Sequence, residues 1–176
     1  MENTIVTSFC IGTEECKQTL SYISAATARE KYTGKISPAQ LKDYIQKKFS
    51  TGALHVDMNS LSNQFVVVYA DGEVAGYARI TSKGSRPEIF NGKSIMRIAD
   101  FAVLKKFDDV QVKKSLLEKC LSACGLQQIV WIGEYEQNPD LEFFASYEFV
   151  KNTAVTGVNE VGLPLVYMVK EKQQFN

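Results

Sequence analysis

The chain has 176 residues, 45% hydrophobic and 23% charged, which suits a chain folding around one sizeable core and excludes a disordered or fibrous one. Its twenty basic and twenty acidic residues cancel, and the pairs Lys47-Lys48, Lys105-Lys106 and Lys113-Lys114 stand apart, so no nucleic-acid partner is expected. No apolar run reaches the roughly 18 residues that span a bilayer, and Met1 to Thr7 lacks the basic and apolar regions of a leader, so the expectation is a single soluble cytoplasmic domain with no membrane partner.

Ile5 to Ile11 reads as a first strand, and Glu14 to Lys31 as a helix with Leu20, Ile23 and Ala28 on its apolar side. A second helix is marked by Ser37, Pro38 and Gln40, which form a capping box with proline at the first helical position; Leu41, Tyr44, Ile45 and Phe49 then recur at helical spacing. Ala53 to Leu61 is a third helical stretch, in which His55 and Met58 read as packing or surface residues.

From Gln64 the pattern changes to Phe-Val-Val-Val-Tyr-Ala, then Asp71-Gly72, then Glu-Val-Ala-Gly-Tyr-Ala-Arg-Ile. A two-residue Asp-Gly connection supplies the positive φ angles of a type I′ turn and predicts a hairpin. After a polar loop with Gly84, Pro87 and Gly92, a strand runs from Lys93 to Leu104. A helix follows from Asp109 to Cys124, with Val110, Leu116, Leu117, Cys120, Leu121 and Cys124 inward and Gly125 ending it. Gln127 to Glu134 is the next strand; with a helix between them, these two strands must be parallel and joined by a right-handed crossover. Asn138-Pro139 opens a short helix through Tyr147, and strands at Phe149 to Thr156 and Leu163 to Val169 close the chain as a hairpin.

The four cysteines, Cys10, Cys16, Cys120 and Cys124, lack Cys-x-x-Cys spacing, and the one histidine, His55, has no ligand neighbours, so no metal site is expected. All four read as reduced thiols. Cys120 and Cys124, one helical turn apart, read as core residues.

This element order and several local strings resemble the GNAT superfamily of acetyl-CoA-dependent N-acetyltransferases over nearly the whole chain. The hairpin from Val67 to Ile80 is similar to the family's second and third strands, and Ile98-Ala-Asp-Phe-Ala-Val-Leu104 to its fourth. Ser115-Leu-Leu-Glu-Lys119 resembles the cofactor-binding helix, and Trp131-Ile-Gly-Glu-Tyr-Glu-Gln-Asn138 the fifth strand and the helix entry after it. The stretch from Thr27 to Phe49 resembles a bacterial branch that includes polyamine acetyltransferases.

The resemblance implies an α/β (α+β) fold: a mixed, mostly antiparallel sheet of about seven strands, about four helices, and one parallel pair splayed for CoA. It implies acetyl-CoA as cosubstrate and, as acceptor, a primary amine of a small molecule, polyamine-like, or of a peptide. Backbone near Phe101, Ala102 and Val103 would pair with the pantetheine arm like an added strand, and the pyrophosphate would lie at the next helix start, over Asp109, Val110, Gln111, Val112, Lys113 and Lys114, with Asn138 nearby.

Two departures stand out. The family's pyrophosphate loop places glycines where this chain has Gln111 and Lys113, and its leading glutamine or arginine where this chain has Asp108. Glycine lets backbone approach phosphate with no Cβ in the way. The family's tyrosine acid, which protonates the leaving thiolate, is replaced by Phe144; Tyr147 is the nearest substitute and Tyr135 a second. Asp100 and Glu134 are the best-placed bases, ahead of Glu136. A scaffold that binds CoA or a protein partner without turnover, and a structural role in a homodimer, are the competing readings.

Overall fold

The computed structural model describes residues 4–84 and 86–172. Seven strands and five helices follow in the order β1 (Ile5–Cys10), α1 (Glu14–Tyr32), α2 (Pro38–Phe49), α3 (Thr51–Met58), β2 (Asn63–Ala70), β3 (Glu73–Thr81), β4 (Ile95–Val103), α4 (Val110–Ala123), β5 (Ile129–Tyr135), α5 (Leu141–Ser146), β6 (Val150–Asn152) and β7 (Leu165–Glu171). The strands form one sheet in the order β1-β2-β3-β4-β5-β7-β6, in which only β4 and β5 are parallel. This is the mixed, mostly antiparallel sheet read from the sequence, and each of the five helical stretches read there is present, against about four implied by the resemblance.

Local chemistry sets the boundaries. Ser37 and Gln40 form the expected capping box, with both bonds at 3.2 Å. Asp71 and Gly72 take φ angles of 50° and 81°, as a type I′ hairpin requires. α3 starts earlier than expected because the Ser50 hydroxyl accepts from the Ala53 amide. It also ends earlier: the Asn59 side-chain amide donates to the His55 carbonyl, and the chain turns there.

Both faces of the sheet are covered, which explains the unbroken Phe-Val-Val-Val run of β2. Val66 and Val68 join Ile98, Phe101, Leu116 and Leu117 under α4; Phe65 and Val67 join Leu20, Ile23, Phe49 and Tyr77 under α1 to α3. Each such aliphatic side chain stabilises the fold by about 1.5–3 kcal/mol on burial.

Three expectations are corrected. Val110 is exposed, not inward, because Asp109 caps the helix and leaves Val110 in the first turn, facing outward. Cys10 and Cys16 form a disulfide, not reduced thiols: the end of β1 and the first turn of α1 bring their Cα atoms 5.7 Å apart. Cys120 and Cys124 are the buried free thiols expected. The strand expected over Phe149 to Thr156 is only Val150–Asn152, because the Asn152 side chain accepts from the Ala154 amide and turns the chain out of the sheet.

The feature that builds a site lies at the centre of the sheet. β4 pairs with β5 only from Ile95↔Ile129 to Ile98↔Ile132. On its other edge, β4 keeps pairing with β3 through Gly76↔Val103, and the register skips Ala99 between Ile98 and Asp100. That extra residue is a bulge that bends β4 away from β5. Ala99 to Val103 therefore presents a strand edge with no strand partner among the described residues, while β5 follows β7 to Tyr135↔Leu165.

Candidate active site at the strand split

Two cavities open at the split and share Lys31. The first, about 370 Å³, is lined by Phe101, Ala102 and Val103 of β4, by Tyr135 and Asn138 to Asp140, and by Lys31, Lys35, Lys105, Asp108 and Lys113. The second, about 280 Å³, lies over Ala99, Asp100, Gly133 and Glu134 and is walled by Tyr32, Tyr44, Lys48, Arg97, Trp131 and Tyr167. A larger recess of about 850 Å³ between α2, α3 and the β6–β7 connection adjoins the second through Tyr44, Lys48 and Glu160.

In the first cavity, four lysines face three carboxylates, counting Glu30. The charges are not free. Lys113 pairs with both Asp108 and, at 2.6 Å, Asp140. Burial would lower its pKa, but these carboxylates raise it, so the ammonium is firmly charged. The Asp109 carboxylate accepts from the Gln111 amide at 2.7 Å and so occupies one donor of the helix start. Of the residues expected to hold the cofactor, Phe101, Ala102, Val103, Lys113 and Asn138 line this cavity; Asp109, Val110, Gln111, Val112 and Lys114 do not. Val112 is instead packed in the core with Leu116, whereas Val110, Gln111 and Lys114 are exposed.

A group with phosphates and an extended arm finds a mixed fit. The unpartnered β4 edge suits an extended chain, and Lys35, Lys105 and Lys113 suit phosphate. No glycine stands between Asp108 and Lys113, so the close backbone cradle is absent.

The second cavity holds two of the expected catalytic carboxylates. Glu134 is 5% exposed and pairs with Lys31 at 2.6 Å. Asp100 pairs with Lys48 at 3.1 Å and stands 3.0 Å from Arg79 Nε. Burial alone would raise the Asp100 pKa; Lys48 and Arg79 outweigh it and hold the carboxyl at about 2. Lys48 also reaches Glu160 at 2.7 Å, and Arg79 reaches Asp57 at 3.1 Å, so one ion network joins α2, α3, β3, β4 and the β6–β7 connection.

The structure does not bring Tyr147 to this centre. Its ring packs on Phe143, 5.3 Å between centroids, and it lines none of the three cavities. Tyr135 does line the first cavity, beside Lys31 and Lys35, whose ammonium groups lie 5.7 and 5.5 Å from its ring centre. Burial raises the Tyr135 phenol and Lys31 works against it. Phe144 is fully buried against Phe101 and Phe149. Lys31, Tyr32, Tyr44, Lys48, Arg97 and Trp131 escape a reading of the sequence, because each is an ordinary helix or strand residue until the split brings them together.

No protein-family model matches the chain. Solved structures do. The chain superposes on the PaiA N-acetyltransferase of Thermoplasma acidophilum in complex with coenzyme A, with a TM-score of 0.70 at 15% identity, over 96% of this chain and 99% of that one. It superposes on a GCN5-related N-acetyltransferase of Rhodopseudomonas palustris with a TM-score of 0.68 at 14% identity, over 98% and 97%. YncA of Salmonella typhimurium, with acetyl-CoA, gives 0.60 at 15% identity, over 98% and 96%. At such identities the likeness is one of fold: this chain has the GNAT fold.

Proposed function

On that fold, we propose that the chain is an acyl-CoA N-acyltransferase that moves an acetyl group from acetyl-CoA to a primary amine of a small molecule or peptide. The observation that carries this reading is the bulge-driven split of β4 from β5, with two cavities that share Lys31, the ion-pair partner of Glu134. The solved structures that share the fold include one with coenzyme A and one with acetyl-CoA, which supports a CoA donor; the first cavity is the proposed place for it in this chain.

Acetyl-CoA would supply a thioester carbon, at which the C–N bond forms as the C–S bond breaks. The acceptor, an ammonium in water, must first lose one proton to become a nucleophile; its second proton leaves on attack and one proton ends on the departing thiolate. Glu134 is the proposed proton acceptor, directly or through a water, at the boundary of the cavities. Asp100, held near pKa 2, is too weak a base at neutral pH and serves to fix Lys48 and Arg79. Tyr135, protonated at neutral pH and lining the donor cavity, is the proposed acid in place of Tyr147.

Calorimetry with acetyl-CoA and desulfo-CoA, followed by thiol release with a panel of amines, tests the reading. Binding below about millimolar together with amine-dependent thiol release is expected. Absence of binding overturns it. Binding without release to any amine supports a CoA-binding module without turnover, the reading that the pinned Lys113 and the glycine-free loop favour.

A further inference from the structure

Two buried donors in the wall of the 280 Å³ cavity have no acceptor. Arg97 Nε and Trp131 Nε1 are both shielded from water, and neither makes a hydrogen bond among the described residues. They are register partners in the last stretch where β4 and β5 still pair, and the Arg97 guanidinium lies 4.8 Å from the Trp131 ring centre. Tyr167 stacks on the Trp131 ring, with centroids 5.2 Å apart and planes at 25°, and holds the indole in place.

The charges around them are otherwise matched. Asp100 has Lys48 and Arg79, Glu134 has Lys31, and Glu160 has Lys48. Arg97 has no carboxylate within ion-pair distance among the described residues. The Arg97 side chain is half-buried, and its planar fork is suited to a carboxylate. Arg97 is thus the one cation of the cavity lining that has no carboxylate partner among the described residues.

We infer that Arg97 and Trp131 form a carboxylate subsite, and that the acceptor is a small amino acid whose carboxylate docks there while its amine faces Glu134. This rests on the acyltransferase reading for the fate of the amine, but not for the subsite itself. The volume suits the class, since it lies just below the roughly 300 Å³ at which drug-sized pockets begin. A polyamine would bring several positive charges to carboxylates that already have cations, and would leave Arg97 unanswered. An amino acid brings its own counter-ion.

Trp131 is the only tryptophan of the chain, so its emission reports the subsite directly. The experiment titrates the protein, without CoA, with the twenty L-amino acids, their amides and spermidine. At least one free amino acid is expected to change the emission saturably, with its amide at least tenfold weaker and spermidine inert at the same concentrations. Arg97→Gln should abolish the preference for acid over amide, and Arg97→Lys, which keeps the charge but not the fork, should keep a weakened one. Matching thermal unfolding of the variants guards against misfolding. Equal response to acids and amides, no response to any acid, or a preference that survives Arg97→Gln overturns the inference. Acetyl transfer to amines without a carboxylate preference would sink the subsite and leave the transferase; a carboxylate preference without acetyl-CoA binding would do the reverse.

Discussion

Lys31 of α1 and Glu134 of β5, 103 positions apart in sequence, form a 2.6 Å ion pair where the two cavities meet. Their pairing holds the Glu134 carboxylate, in the wall of the second cavity, beside the one residue that lines both. Glu134→Gln keeps the shape and removes the charge. Turnover with the best acceptor should fall about 10²–10⁴-fold, the usual worth of a general base. Acetyl-CoA affinity, measured by calorimetry, should change less than threefold. A variant with unaltered turnover removes Glu134 from the mechanism.

Asp100 gives a prediction about acid stability. Its folded pKa of about 2 lies below the ordinary carboxylate value, so its stabilising effect is fully present above pH 4 and is lost as the pH falls toward 2. The contribution is about 2 kcal/mol. Asp100→Asn should lower stability at pH 7 by more than this, roughly 3–5 kcal/mol, because Lys48 and Arg79 then face each other with no shared anion. Urea unfolding at pH 7 and pH 3 should show the gap between the variant and the parent narrowing at the lower pH. A constant gap would show that the ion network does not act through the charge of Asp100.

How far the residue string reveals these relationships depends on range. The Asp71-Gly72 hairpin, the Ser37 capping box and the Leu116-Leu117 face are written within a few neighbouring residues, and the structure has them where local rules put them. The boundaries of α3 and β6 depend on single side-chain bonds, from Ser50 and Asn152, and no periodicity announces those. The site is less legible still. Asp100 and Glu134 can be singled out as acids at strand ends, but their cations come from α1, α2 and β3. Only the bulge at Ala99, invisible in composition or spacing, decides that Arg97 and Trp131 flank an opening.

The loop without glycines makes a prediction about affinity. Asp108 and Asp140 hold the Lys113 ammonium, so a phosphate must compete with two carboxylates for it. Asp108→Asn should therefore tighten acetyl-CoA binding about threefold to tenfold, and Lys113→Met should weaken it by a similar factor. The gain should shrink as salt is raised from low to physiological levels, since Asp108 is partly exposed. Calorimetry at two ionic strengths checks both signs, and an unchanged affinity in both variants would move the pyrophosphate elsewhere.

Gly76 governs how closely β3 approaches the strand that walls the donor cavity. A Cβ there would stand 2.5 Å from the Ala102 carbonyl oxygen and 2.9 Å from the Val103 side chain. Backbone must shift to admit it, so Gly76→Ala should cost about 1–3 kcal/mol. Because the shift displaces Ala102 and Val103, acetyl-CoA affinity should fall as well. Thermal unfolding and calorimetry on the same sample separate the two effects, and a variant of unaltered stability would contradict the packing.

The acid is tested by a pair of tyrosines. Tyr135→Phe removes a phenol that lines the donor cavity next to Lys31, whereas Tyr147→Phe removes one that packs on Phe143 outside it. If the thiolate takes its proton from Tyr135, the first variant should lose about 10²-fold in turnover and the second less than twofold. The two differ in pH dependence too. With the parent, turnover should fall at alkaline pH as the Tyr135 phenol, raised by burial, finally ionises; the Tyr135→Phe variant should lack that fall. The argument turns on the leaving group: with an acyl donor whose thiol is more acidic, a thiolate needs less help, so the Tyr135→Phe deficit should shrink. A deficit that stays constant across donors of different acidity would assign Tyr135 to packing and leave protonation of the thiolate to water.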